Sequence, residues 1–457
     1  MWGIPILGEV MATHNLAEAT GEPRELEPWH PRYLPAVIIA VYAAFALFAT
    51  WAIRLDYGPD EPHHLQYAYE IAVDGRLPDP SDPTGNLVRT HPPIYYLIVA
   101  GIWRATGARQ APTDTEAAVE PHQPISPRAA LARRLMRGFS VLLGCLTLVV
   151  VARILVVIGV APAWRPFLLA AFGLWPLFQW ISSVVSNDNI AILFSAIACL
   201  AVVSRLRAGS TTLKQAALLG LLIGLGAWAK RPTLFVVPIA AWVVFATSPN
   251  DRRAAGLACF GLAFLAIAAW WHVYLYFTAG SPFPKFHAEE WDQRSAWELI
   301  TNDPAIIAWM PVELACHAWV PDWAGAIIPM AVGRLVFAAL AVLFVAGIVK
   351  AWRSRGEAFL GPLRWTSLVG IGVLVAGIMH YSITVDIRAT ICGRYLLSGA
   401  PWLVCLVAAC LPRVKTSGAW HHVRRYLPVV LGAWVLFDVA WWILVQTMYE
   451  TLGRMVS

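Results

Sequence analysis

Charge is what this 457-residue chain has least of: 14% of its residues are charged while 58% are hydrophobic, and the mean hydropathy is +0.60. A soluble domain has no interior large enough for that much apolar surface, whereas a lipid bilayer accepts it. The 34 Lys and Arg give a formal net charge of +6. They are dispersed between apolar segments, which argues against a nucleic-acid surface and for topology signals and site residues. Cysteine is sparse too. Of the seven, Cys145, Cys199, Cys259, Cys405 and Cys410 fall in apolar stretches as small membrane-core residues. Cys316 and Cys392 fall in or near expected outer loops, where a disulfide between them stays open. Neither a Cys-x-x-Cys motif nor a repeat of fixed period is present, so structural zinc, solenoid and inverted-repeat transporter readings lose support. Nothing resembles a cleavable signal. Residues 1–33, with Glu18, Glu22, Glu25 and Glu27, read as a short cytoplasmic tail.

What is abundant is apolar runs, with 23 tryptophans and 13 tyrosines clustered near their ends as an interfacial belt. The expected fold is an all-α polytopic membrane protein of about 11 transmembrane helices. The spans fall near 34–55, 139–160, 165–185, 189–206, 213–229, 233–248, 255–278, 327–349, 364–383, 395–411 and 427–448, forming a single domain over 34–457. With the N-terminus inside, the cytoplasmic connectors receive Arg205, Arg207 and Lys214, then Arg252 and Arg253, then Lys350, Arg353, Arg355 and Arg364, and finally Arg413, Lys415, Arg424 and Arg425. Two long outer loops remain, at about 56–138 and 279–326. The first holds an apolar piece, 93–106, too short to cross and carrying Arg104, which reads as an interfacial or re-entrant helix.

Polar residues at the outer face stand out against this background. Pro-Asp-Glu-Pro-His-His, 59–64, follows the first span directly. Asp60 and Glu61 bring two carboxylates, and His63 and His64 two imidazoles, to the membrane surface ahead of a helix signal at Pro62. Asp60 could equally be an N-cap. Ser186-Asn187-Asp188, ending the third span, could likewise cap the fourth helix. Lys230, Arg231, Arg334, Arg388 and Arg394 break the positive-inside rule. Cations held at outer membrane depth point to an anionic partner, a lipid phosphate first, with snorkelling to bulk headgroups as the alternative. Asp438 is a lone acid inside the last span. His63, His64 and His91 with Asp60 and Glu61 could hold a divalent metal in principle, but a zinc-like ligand spacing is missing and no cofactor is required.

Taken in order, residues 59–64, His91 to Tyr96 (His-Pro-Pro-Ile-Tyr-Tyr), 186–188, 230–233 (Lys-Arg-Pro-Thr) and 393–395 (Gly-Arg-Tyr) resemble motifs of GT-C membrane glycosyltransferases. That superfamily includes protein O-mannosyltransferases, lipid A aminoarabinose transferases and a bacterial GT-C-like family. The resemblance implies transfer of a sugar from a polyprenyl-phosphate donor to an extracytoplasmic glycan, lipid or protein hydroxyl, usually with inversion, at the bacterial cytoplasmic membrane. It implies Asp60 as general base with Glu61 as neighbour or alternate, and Lys230, Arg231 and Arg394 as phosphate partners. His64, Tyr395, Asp188 and His91 would support them. Arg231 is an insertion relative to the pattern, which leaves open whether it or Lys230 faces the site. A lipid-linked sugar flippase or a non-catalytic assembly partner would share the cations but has less need of the adjacent acids.

Overall fold

In the computed structural model the described residues are 33–411, apart from 57, 59, 83–85, 87, 113–123, 163, 283, 285–300, 302–329, 354–356 and 385–392. Every regular element among them is helical: α1 (Leu34–Ala52), α2 (Glu61–Tyr69), α3 (Ile94–Thr106), α4 (Pro127–Ile158), α5 (Trp164–Gly173), α6 (Pro176–Ser182), α7 (Asp188–Ala208), α8 (Leu213–Ala229), α9 (Val236–Thr247), α10 (Arg253–Ala279), α11 (Met330–Arg353), α12 (Leu360–Thr384) and α13 (Ala400–Cys410). Short 3₁₀ turns at Arg231–Phe235 and Gly393–Gly399 lead into α9 and α13. Among the described residues, five helices are long and apolar enough to cross a membrane: α1, α4, α7, α12, and α10 with its preceding turn. Their outward faces carry large apolar side chains such as Trp51, Leu142, Leu262 and Val369, a surface suited to lipid. The expected last span, Asp438, Arg388, Cys316 and Cys392 lie outside the described residues, as does the side chain of Arg334.

Three of the modified spans have a clear local reason. The stretch 165–185 is divided into α5 and α6 because Pro176 has no amide to donate and holds Trp175 extended, at φ −67°, ψ 117°. The stretch 233–248 begins with a 3₁₀ turn around Pro232. The third, expected from 139, starts twelve residues earlier at Pro127, where the Ser126 hydroxyl accepts from the Ala129 amide. The eleven residues before 138 are therefore helix rather than loop. They carry Arg133 and Arg137, one turn apart on the same face of α4.

The apolar piece of the first outer loop is α3. Thirteen residues span about 20 Å, short of the hydrocarbon thickness. Tyr95, Tyr96, Val99 and Trp103 are buried while Leu97 and Ile98 are exposed, so it lies against the protein along one side. Arg104 folds back to donate to the carbonyls of Ile71 and Ala72 at 2.7 and 2.8 Å, closing the end of the α2 segment. Deeper in the bundle, α8 and α10 approach through glycine. A Cβ on Gly220 would stand 2.2 Å from the Phe260 carbonyl oxygen, and one on Gly224 would stand 2.8 Å from Ile267 Cβ.

Candidate active site

The segment after α1 is fixed by two buried ion pairs to α4. Arg133 Nη1 lies 2.9 Å from Asp56 Oδ2. Arg137 grips Glu61 through Nε at 2.8 Å and Nη2 at 2.5 Å, and donates to the carbonyls of Thr50, Ile53 and Arg54 that end α1. Glu61 also accepts the amides of Gly58 and Val185 at 3.1 and 3.0 Å. Each of its oxygens thus receives two hydrogen bonds, and the side chain is fully buried. Glu61, which the sequence offers as neighbour or alternate to the base, is thus enclosed with both oxygens engaged by the protein. It locks the loop to α1, α4 and the residue after Val184. Arg133 and Arg137 were missed by the sequence reading. Two arginines four apart at an outer membrane end were the available signal.

Asp60 has different surroundings. It sits at the N-cap position of α2 in the left-handed conformation, φ 53°, and makes no capping hydrogen bond. Aspartate tolerates that region better than most residues, yet strain of this kind is found where a side chain must be aimed. Its carboxylate is aimed at Arg394, whose Nη2 donates to Asp60 Oδ2. Arg394 comes from the 3₁₀ turn before α13, which is tied to α7 where Ser195 Oγ donates to the Ser398 carbonyl at 2.5 Å.

Lys230 reaches the same place from α8. Pro232 stops the helix, leaving Lys230 extended at φ −166°. Its carbonyl then accepts from the Thr233 amide and hydroxyl at 3.1 and 2.7 Å. Lys230 Nζ donates to Asp188 Oδ1 at 2.7 Å, and Arg394 Nε stands 4.0 Å from Asp188 Oδ2. Asp188 opens α7, but its carboxylate serves Lys230 and the Ser186 hydroxyl (3.0 Å) and not the helix amides. Of the two neighbouring cations, Lys230 faces the cluster. Arg231 starts the 3₁₀ turn and acts at longer range, its charge disfavouring protonation of His91. The Tyr395 ring lies 5.2 Å from Lys230 Nζ and 5.8 Å from Arg394 Cζ, within cation–π reach of both.

A neutral network flanks the ions. The Tyr96 hydroxyl lies 2.8 Å from His64 Nδ1 and 3.2 Å from His91 Nδ1. Tyr96 stacks on Tyr67 at 3.8 Å, whose hydroxyl donates to the His91 carbonyl. Asn187 Nδ2 donates to the Ala229 carbonyl at 3.2 Å and faces His91 Nδ1 at 3.4 Å. Burial holds the pKa of both histidines well below the usual imidazole range; Asp60 opposes this at His64, while Lys230 and His64 reinforce it at His91. Burial also works to raise the Asp60 pKa, but the charges of Arg394 and Lys230 outweigh it and hold the carboxyl below its usual range. Asp60 is therefore ionised and paired, with 41% of its side chain still exposed, while Asp188 and both cations are almost covered. Asp60, Asp188, Lys230, Arg394, His64, His91 and Tyr395 converge on one recess; Glu61 stands behind it.

No family model matches the chain, and no curated protein does. Solved structures resemble it. ArnT from Cupriavidus metallidurans, bound to undecaprenyl phosphate, has a TM-score of 0.45 at 14% identity over 86% of this chain and 63% of that one. The Archaeoglobus fulgidus oligosaccharyltransferase in the apo form has a TM-score of 0.47 at 11% identity, over 92% and 55%. The Saccharomyces cerevisiae protein O-mannosyltransferase Pmt1-Pmt2 complex, bound to its sugar donor, has a TM-score of 0.39 at 20% identity, over 54% and 33%. The chain thus spans less than two thirds of the length of each. These are GT-C membrane glycosyltransferases, the superfamily that the motifs resemble. With every TM-score below 0.5 the likeness carries no weight for function, which has to come from the chain's own side chains.

Proposed function

We propose that this chain is a membrane glycosyltransferase that moves a sugar from a polyprenyl-phosphate donor to the hydroxyl of an extracytoplasmic glycan, lipid or protein, with inversion. The observation that carries the reading is the aim of Asp60: the acid at a helix N-cap leaves the cap unmade and faces Arg394 in a recess that also holds Lys230 and Asp188. A topological or capping role gives no reason for that arrangement.

In the proposed reaction Asp60 accepts the acceptor O–H proton as the oxygen bonds to the anomeric carbon. The bond from that carbon to the donor phosphate oxygen breaks, and its electron pair leaves with the phosphate. Arg394 and Lys230 stabilise the charge that grows there, at a site where fixed cations are little screened by water. Asp188 holds Lys230 in position, Arg231 adds longer-range positive potential, and Tyr395 lines the cations. His64 and His91, neutral and tied through Tyr96, fix the wall beside Asp60. The test is transfer kinetics with a short-chain polyprenyl-phosphate sugar. Lys230→Ala and Arg394→Ala should each lose about ten- to a hundredfold, the value of a charged hydrogen bond. Arg394→Lys should recover only part, because an ammonium cannot reproduce the guanidinium fork. Values all within twofold of wild type would refute the phosphate assignment.

A further inference from the structure

The two cations and two carboxylates of the recess cancel in formal charge: Lys230 with Asp188, Arg394 with Asp60. A phosphate entering such a site meets cations already engaged by carboxylates, and those engagements are not equal. Asp188 is covered, receives Lys230 and the Ser186 hydroxyl, and also lies near Arg394. Asp60 is 41% exposed, and its side-chain hydrogen bond among the described residues is to Arg394. Asp188 is thus built in, whereas Asp60 occupies a position from which it can be displaced.

We propose that the donor phosphate takes Arg394 from Asp60, and that this exchange of partners is what frees Asp60 to act as a base. The inference rests on the proposed function and adds an order to it: the donor arms the site, and an acceptor alone meets an aspartate still paired with its arginine. The physical reason is the opposed influences on Asp60. Burial raises its basicity and Arg394 is the first of the charges that suppress it. A phosphate that engages the guanidinium removes that suppression and adds a negative charge nearby, so proton affinity rises when there is a sugar to transfer.

The exchange has a counterintuitive signature. If Asp60 competes with the phosphate for Arg394, the isosteric change Asp60→Asn lowers transfer by about two to four orders of magnitude and yet tightens donor binding. Part-exposed ion pairs are weak, so the expected gain is about three- to tenfold. The experiment is equilibrium binding of a short-chain polyprenyl monophosphate to the full-length protein in lipid nanodiscs, for wild type, Asp60→Asn, Arg394→Ala, Lys230→Ala and the double variant Asp60→Asn/Arg394→Ala. Expected are tighter binding by Asp60→Asn, at least tenfold weaker binding by Arg394→Ala and Lys230→Ala, and a double variant no tighter than Arg394→Ala. Should either cation variant weaken binding while Asp60→Asn binds equally or less well than wild type, the exchange is wrong and the phosphate site stands. A double variant that gains over Arg394→Ala as much as Asp60→Asn gains over wild type would mean that general charge removal, not Arg394, is responsible, and would also overturn the exchange. If neither cation variant changes affinity, the site reading itself falls, and the exchange with it.

Discussion

Adjacent carboxylates, Asp60 and Glu61, end in different surroundings, and that difference is measurable. Asp60→Asn should lower turnover by about two to four orders of magnitude while leaving the fold intact, as removal of a general base does. Glu61→Gln strands the buried Arg137 with a weakened partner. Loss of a buried pair costs about 3–5 kcal/mol, so it should lower the thermal midpoint sharply while the folded fraction retains turnover. Near-normal transfer by Asp60→Asn would reassign the base. The histidines give a pH prediction. Their pKa values are held below the ordinary value, so below about pH 6.5 the unfolded chain takes up protons that the folded one refuses. Stability is then complete above that pH and falls on acidification, by about 1.4 kcal/mol per pH unit for each histidine until its folded pKa is reached. Melting curves from pH 7.5 to 5 should show a shallower slope for His64→Gln and His91→Gln; an unchanged slope would mean these imidazoles take up protons as readily in the fold as in the unfolded chain. Lys230 and Arg394 stood out in the sequence because each breaks the positive-inside rule, and Asp60 because it follows the first span beside a second acid. The Arg137–Glu61 contact was not, because it joins residues 76 apart and nothing local in either segment names the other.

Helices were legible wherever apolar length alone decides them. The sequence boundaries for α7 and α8 lie within two residues of the structure at 188–208 and 213–229. Boundaries moved where backbone chemistry intervenes: Pro176 divides a span, Pro232 tightens the start of another, and Ser126-Pro127 begins α4 early. Those positions matter for function, since the break after α8 is what leaves Lys230 free to reach Asp188. The α8–α10 contact holds that break in place, and it depends on glycine. Gly220→Ala places a methyl group against the Phe260 carbonyl, backbone that cannot rotate away. Overpacking of this kind costs about 1–3 kcal/mol. Gly261→Ala, where a Cβ meets nothing within 4 Å, is the matched control in α10. In thermal inactivation, Gly220→Ala should lose its midpoint and its transfer activity together, and Gly261→Ala should match wild type or gain slightly from helix propensity. Equal behaviour of the two would show that the helices separate at no cost.

At the scale of the whole molecule, two charged clusters among the described residues lie near the two ends of α7. α7 starts at Asp188 in the recess and runs for 21 residues, about 30 Å, enough to cross the hydrocarbon. Near its far end Arg207 joins Lys350, Arg364 and Glu357 around a cavity of about 390 Å³. There Arg364 Nε and Lys350 Nζ donate to the carbonyls of Ala409 and Cys410 that finish α13. Three of the cations that the sequence assigns to the cytoplasmic side, Arg207, Lys350 and Arg364, thus line one cavity, and two of them cap a helix C-terminus as the macrodipole favours. The compartment that each end faces is an expectation of the positive-inside rule, and it is open to a direct test. In a background without native cysteines, Asp79→Cys in the first outer loop and Ser210→Cys just past α7 are both exposed positions. An impermeant thiol reagent applied to intact cells should label Asp79→Cys and leave Ser210→Cys unlabelled until the membrane is permeabilised. The reverse pattern would turn Asp60, Lys230 and Arg394 toward the cytoplasm, where a transfer to extracytoplasmic hydroxyls has no acceptor. Labelling at both positions would mean that α7 does not span the bilayer, and the separation of recess from basic end would lose its meaning.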